Sequence, residues 1–469
     1  MCHQRPNLSA MAGRKLAGSA MPDRQERSGA WIAVLCVCLF AIPVVPLRAQ
    51  APAADFPRQV RQRSAESAWD AAAPSAKATR AAVVAALEAA RQFLLRQQRA
   101  DGLITCDLDL EHHRKLPAND PAREAFGLWA LAMLCGERPT PETQRAFIRG
   151  LNVYVENTEP QACGAAAPLQ PGDSEIKTVM VASLCLAIMD FVAAQERSPK
   201  PEDVELQRKL LGQYVAWLQK MEAADGSWAV KYIPVANERD TTSEPVCDSA
   251  CLLVYCRAAH DFGFKELLPR IRESARKLGT HYLLDAWQGK ADPRPGLLFA
   301  PLGCQAFLEY SRRDWEEATT YGDLTLATAW WLSRQLEVAS RDTNLATNAQ
   351  VLLAAYQVAT DRKLPEVQER LRQLTEPLLA RTIRLQADGP LWKENALVQR
   401  FQLRDFCTGG FLSSDDGMRI RIDGLAAPVQ LLTTALPLFY PEKPAAVPVP
   451  SATERGASRD KAAGGSVSK

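Results

Sequence analysis

Residues 214–228 read YVAWLQKMEAADGSW, and three other stretches follow the same plan: FLLRQQRADG at 93–102, YLLDAWQGKADPRPGLLF at 282–299 and RLQADGPLW at 384–392. Each joins an aromatic or aliphatic residue and a glutamine to an Asp-Gly or Asp-Pro turn, and a large apolar residue follows. The chemistry suits the end of a helix. A glutamine can satisfy backbone groups that a helix terminus leaves open, and a glycine enters a left-handed turn without a Cβ clash. The aromatic can then pack the turn onto the next helix. Four copies spread over three hundred residues indicate a repeated helical hairpin.

Outward from these turns, apolar residues recur at helical spacing in one segment after another, and alternating strand patterns are nearly absent. The spacing predicts an all-α core of about twelve helices, near 78–98, 121–135, 141–156, 174–195, 203–222, 246–261, 264–285, 301–316, 322–339, 344–361, 364–385 and 425–439. Three starts carry entry signals: Asp120 before Pro121, Thr140 before Pro141, and Asp173 before Ser174-Glu175. Some helices are apolar nearly all round, such as EAFGLWALAML (124–134), TVMVASLCLAIM (178–189), LLVYCRAA (252–259) and LTLATAWWL (324–332), which implies burial on two sides. Others, such as 204–219 and 364–381, carry a charged face. Two kinds of helix in alternation imply an inner ring inside an outer one, with Trp129, Met180, Leu253 and Trp330 on inner helices.

The turns resemble the glutamine-tryptophan repeats of squalene and hopene cyclases and the related repeats of protein prenyltransferase β subunits. Tyr214, Leu218, Gln219, Gly226 and Trp228 match best, and Gln386, Asp388, Gly389 and Trp392 come next. The resemblance implies an α/α toroid over residues 78–440, with about six hairpins and a cavity inside the inner ring. It also implies that inner-helix N-termini face one mouth of that cavity. It does not extend to the families' catalytic motifs. Asp107-Leu108-Asp109-Leu110 lacks the last acid of a D-x-D-D motif, and Asp415-Asp416 is followed by Gly417, Met418 and Arg419 rather than by a D-D-x-x-D pattern. The prenyltransferase zinc set of Asp, Cys and His is missing from its places. No metal and no cofactor are expected.

The chain has 469 residues, 47% hydrophobic and 23% charged, which is ample for a large core. With 56 basic and 54 acidic side chains it has no overall field to gather nucleic acid. The apolar run WIAVLCVCLFAIPVV (31–45) follows Arg24 and Arg27 and precedes Arg48-Ala49-Gln50-Ala51. That is the layout of a secretory signal peptide over residues 1–50, which predicts export to the periplasm or beyond and no transmembrane span after cleavage. Residues 51–77 and 441–469 read as flexible ends. Of twelve cysteines, Cys2, Cys36 and Cys38 fall in or before the leader, leaving nine. An odd number cannot all pair. Cys247, Cys251 and Cys256 lie within one helix and read as buried apolar residues rather than a metal site.

Candidate chemistry gathers before helices assigned to the inner ring. The segment CTGGFLSSDDGMRIRID (407–423) places Arg419, Arg421 and Asp423 on alternate positions after a Gly-Gly pair, with Asp416 nearby. One reading is an anion or sugar contact at the cavity mouth, and the other is a closing hairpin whose Arg and Asp pair with each other. Glu244 and Asp248 stand at the start of one helix, and Tyr321 and Asp323 at the start of another. Capping explains each alone. Convergence of Asp248, Asp323 and Asp423 would supply general acid and base, with Arg419, Arg421, Asp416, Tyr321 and Glu244 as ligand contacts. Glu111, His112 and His113 lie in a loop able to reach the same mouth. The principal expectation is an exported toroid that binds an unknown small molecule, glycan or protein without catalysis. The alternatives are a carbohydrate-active hydrolase, lyase or epimerase and a diverged isoprenoid cyclase.

Overall fold

The computed structural model describes residues 78–104, 107–116, 120–198, 203–339, 345–392, 396–402, 404–413 and 418–442. The leader, the 51–77 segment, nearly all of the tail, and Asp415 and Asp416 lie outside the described residues.

Twelve principal helices follow one another: α1 (Arg80–Gln97), α2 (Pro121–Glu137), α3 (Pro141–Glu156), α4 (Thr178–Glu196), α5 (Glu205–Met221), α6 (Pro245–Asp261), α7 (Leu268–Leu278), α8 (Pro293–Ser311), α9 (Ala318–Ala339), α10 (Leu345–Asp361), α11 (Pro365–Arg384) and α12 (Ala426–Phe439). A π turn at Gly279–Leu284 and a short helix at Asp285–Trp287 prolong α7. Side-chain oxygens cap several starts: Asp120 accepts from Ala122 N–H at 3.1 Å, Thr140 from Thr143 N–H at 3.2 Å and Asp292 from Arg294 N–H at 3.0 Å. The start expected at Asp173 is displaced, because Ile176–Lys177 is drawn into a strand and α4 begins only at Thr178.

Helix packing makes the architecture plain. α2 packs on α4, α4 on α6, α6 on α8, α8 on α10, α10 on α12, and α12 back on α2, so the even-numbered helices close a ring. The odd-numbered helices lie outside it, each against its neighbours, and six outer–inner hairpins form an α/α toroid. Trp129, Met180 and Leu253 fall on inner helices, but Trp330 does not. It belongs to α9, which packs against α8 and α10 while those two touch each other directly. Its all-apolar sequence has another cause: Trp287 lies 5.9 Å from Trp330 and the Arg334 guanidinium 4.2 Å over it, so this outer helix is itself covered. Among the described residues only α4 is long and apolar enough to cross a membrane, and it is buried within the ring.

The outer-to-inner connections carry the small strands. β1 (Asp107–Asp109) pairs with β2 (Arg114–Leu116) and with β8 (Arg419–Arg421), β3 (Thr158–Pro160) with β4 (Ala166–Pro168), and β6 (Lys231–Ile233) with β5 (Ile176–Lys177) and β7 (Glu238–Asp240), all antiparallel. The repeat turn recurs in the same geometry twice. Gln98 bridges Ile104 as Glu222 bridges Trp228. Gly102 and Gly226 take φ of 99° and 84°, and Asp101 and Asp225 each accept the N–H two residues on, at 3.1 and 3.0 Å. Trp228 is fully buried and meets Tyr255 of α6 edge to face at 5.1 Å. The glutamines divide in role. Gln386 donates to Ala86 O at 2.8 Å and Gly409 O at 3.0 Å, tying the last outer helix to the first, whereas Gln219 makes no side-chain hydrogen bond among the described residues.

Candidate functional site

The two ends of the ring differ. At the end formed by inner-helix N-termini, the long connections bring an arc of charge together. Asp107 lies opposite Arg421 in the β1–β8 pair. Arg123 of α2 binds Asp107 at 2.6 Å and lies 3.7 Å from Asp120 and 3.8 Å from Asp423. Asp423 accepts from Arg421 at 3.0 and 2.5 Å, and Asp120 accepts from Lys177 at 3.1 Å. Asp423 makes no cap hydrogen bond to α12, so of the two readings of this segment its Arg–Asp pairing is the one present. Asp107 has one buried oxygen without a partner, and burial raises its carboxyl, with the charge of Asp423 adding to the effect. Asp107 and Asp109 are both buried on β1. Arg419 is exposed on β8 opposite Asp109.

The remaining candidates do not join this arc as one catalytic group. Asp248 is wholly buried and takes three hydrogen bonds, from Trp228 N–H at 2.8 Å, Ser243 Oγ at 2.9 Å and Tyr282 Oη at 2.7 Å. Burial raises its carboxyl and those three donors oppose the rise. Glu244 is raised by burial and then by Asp248. Asp323 sits on outer helix α9 and pairs with Arg362, just beyond the C-terminal end of α10, so it lies at the opposite end of the ring. Tyr321 is core, with ring centroids 4.3 Å from Tyr310 and 5.2 Å from Phe307. Asp248, Asp323 and Asp423 thus do not meet.

Asp109, Glu111 and His112 bring three possible ligand atoms within 4.8 Å of one another. Asp109 already faces His112 Nδ1 at 3.0 Å and Arg114 at 3.6 Å, so a cation there would compete with two cationic or hydrogen-bonding partners. Of the described cysteines, Cys251 and Cys256 are driven well up by burial.

The open space lies at the other end. A cavity of about 540 Å³, within the usual range for small-molecule sites, is bounded by the C-terminal halves of inner helices α4, α6, α8 and α10 and by the middle of α12. A smaller lobe of about 250 Å³ extends it to Met133, Gly136 and Glu137 of α2. Amides line its inner part. Gln430 Nε2 donates to Gln305 Oε1 at 2.5 Å, and Gln350 Nε2 donates to Gln430 Oε1 and to Ala427 O, both at 2.9 Å. Asp190 is fixed on the wall by the Trp129 indole N–H at 2.7 Å and by Arg257 at 2.6 Å. Burial works against the Arg257 charge, but Asp190 outweighs it and raises the guanidinium further. Glu309 lies toward the rim, 3.2 Å from Arg313.

The cavity's acids lie toward the C-terminal ends of inner helices, away from the N-termini where the sequence places its candidates. A signal was present. Asp190 is the one charged residue between Thr178 and Gln195, and Arg257 interrupts LLVYCRAA. A lone charge in an otherwise apolar inner helix has to face either a partner or a cavity.

No protein-family model and no curated protein sequence matches the chain. Solved structures do. They include a family 76 glycoside hydrolase, an α-mannanase of Bacteroides thetaiotaomicron, with 9% identity and a TM-score of 0.53 over 76% of this chain and 96% of that one. A D-mannose isomerase matches with 9% identity and a TM-score of 0.52 over 78% and 100%. A sugar epimerase from a ruminal bacterium matches with 9% identity and a TM-score of 0.50 over 76% and 98%. At such identity the likeness establishes the fold, the α/α toroid. It corrects the resemblance to squalene and hopene cyclases and prenyltransferases, since the chains that share this fold are named as a glycoside hydrolase and sugar-converting enzymes. The Asp-Gly turn is a local solution to reversing an outer helix into an inner one and does not mark lineage. The expectation of a non-catalytic binder is corrected by the same finding: the toroids similar to this one are named as enzymes, and those names concern carbohydrate.

Proposed function

We propose that the protein is a carbohydrate-active enzyme that works by proton transfer in the central cavity. The supporting observation is the cavity itself: about 540 Å³, bounded by inner helices, with amides deep inside and the carboxylates Asp190 and Glu309 on its walls. Amides and carboxylates suit a ligand dense in hydroxyl groups, which both donate and accept. Cleavage and isomerisation of sugars share one requirement, a group that takes a proton and a second that returns it. Asp190 and Glu309 fill those roles, and Arg257 offers positive charge to an oxygen that becomes negative during the reaction. Trp129 and Arg257 hold the Asp190 carboxylate in one orientation before substrate arrives. The Asp423 arc, Asp248 and Asp323 serve as structural carboxylates in this reading, and the leader directs the enzyme out of the cytoplasm.

The test is turnover. The mature chain is incubated with manno-, gluco- and galacto-configured sugars and oligosaccharides, and products are followed by NMR. Asp190→Asn and Glu309→Gln should each lower kcat at least a hundredfold, roughly the lower bound for losing one acid or base, in protein that circular dichroism shows to be folded. Full activity in both variants, or no binding of any sugar by the wild type, would refute the proposal.

A further inference from the structure

The charges around the cavity are almost all matched. Asp190 faces Arg257 at 2.6 Å, Glu309 faces Arg313 at 3.2 Å and Glu137 faces Arg91 at 2.6 Å. Glu196 turns outward to Arg208, and Arg312 to Asp361 at 2.7 Å. Asp261 lies beside His260 and 4.0 Å from Arg313. Arg197 is the exception. It borders both lobes, and its side chain makes no ion pair and no hydrogen bond among the described residues.

Its placement sets it at the cavity rim. Arg197 follows the last turn of α4 at the C-terminal rim, and its guanidinium reaches toward α2, where a Cβ on Gly136 would stand 3.5 Å from Nη2. The neighbour there is thus a residue with no side chain, and Arg197 lines both lobes of the cavity. Asp190, Glu137 and Glu196 each face an arginine of their own and Glu309 and Asp261 share Arg313, so Arg197 is the guanidinium at this rim with no carboxylate against it, open to a negative group brought here.

We infer that the cavity takes an acidic saccharide, a uronic acid residue, whose carboxylate is received by Arg197 while the hydroxyls face the amides. This rests on the reading of the cavity as a sugar site. A planar, singly charged carboxylate matches the fork geometry of the unpaired Arg197 guanidinium. A phosphate dianion would leave a second negative charge facing Asp190 and Glu309. The inference makes Arg197 a specificity-determining residue and assigns it no part in proton transfer.

The experiment is a matched comparison on the intact mature chain by isothermal titration calorimetry, pairing glucose with glucuronate, mannose with mannuronate and galactose with galacturonate. The expected result is that at least one uronate binds about tenfold or more tighter than its neutral partner, as for a hydrogen bond to a charged group. That preference should disappear in Arg197→Gln, survive in part in Arg197→Lys, and weaken with added salt, while affinity for the neutral sugar stays the same. Arg197 is exposed, so these variants should fold, which circular dichroism and unfolding midpoints verify. Neutral sugars binding as well as uronates would overturn the inference and leave the enzyme reading standing. A uronate preference that persists in Arg197→Gln would overturn the assignment to Arg197. Absence of binding by every sugar, neutral or acidic, would overturn both.

Discussion

Glu124 offers a direct measurement of how this toroid handles a buried charge. It lies in the first turn of α2, is 5% exposed, and has no salt bridge. Burial pushes its carboxyl from an ordinary 4.5 up to about 7, with Arg99 opposing and Asp101, Asp120 and Asp173 adding to the rise. The folded protein therefore holds a proton on Glu124 between pH 4.5 and 7 that the unfolded chain has released. In that window the native state binds more protons, so stability falls as pH rises, and it levels off above about pH 7. At about 1.4 kcal/mol for each tenfold change, the loss approaches 3 kcal/mol by pH 8. Glu124→Gln keeps the shape of the protonated acid and removes the titration. Urea unfolding of both proteins at pH 5, 6, 7 and 8 should show near-equal stability at pH 5 and a variant more stable by up to about 3 kcal/mol at pH 8. Parallel curves would refute the argument, and so would a variant that is the weaker protein at pH 8, which would mean that the α2 N-terminus stabilises the ionised carboxylate.

Two more outcomes follow from the site geometry. Asp248→Ala leaves the Trp228 N–H and the Ser243 and Tyr282 hydroxyls without their common acceptor and should cost about 3 kcal/mol in chemical denaturation. Asp248→Asn, which keeps one acceptor oxygen, should cost clearly less. Asp423→Asn breaks a part-exposed pair with Arg421 and should cost under about 1 kcal/mol, with sugar turnover equal to the wild type. A large fall in turnover would return the active centre to the N-terminal mouth.

Helix periodicity made the toroid legible because starts and turns follow local rules, as at the Asp120-Pro121 start and the left-handed Gly226. Assigning rings by composition failed at α9, where Trp287, from the segment that prolongs α7, packs on Trp330 in a contact that no window of α9's own sequence reveals. The site was less legible still. Asp107 and Arg421 are over three hundred residues apart, and only strand pairing sets them side by side. Asp190 was visible as a lone acid in an apolar helix. Which end of the ring it faced depended on the axial position of a cavity, and helical periodicity carries no information about that.

The contact of α12 with α2 gives the molecule a seam. Gln386 reaches Ala86 across 300 positions, Gln97 reaches Phe406 across 309, and Arg80 meets Glu442 at 2.5 Å. Every other hairpin can dock on its predecessor as the chain emerges, but the first has one unsatisfied flank until the last arrives. The entropy of so long a closure rises only with the logarithm of its length, so the seam is slow to find rather than weak once found. Geometrically the ring has no first repeat. The two edges of the seam lie so close that a short peptide would join them, and the chain could begin instead at a surface turn such as the one around Gly289 between α7 and α8, giving a circularly permuted order with the same six neighbours around the same hole.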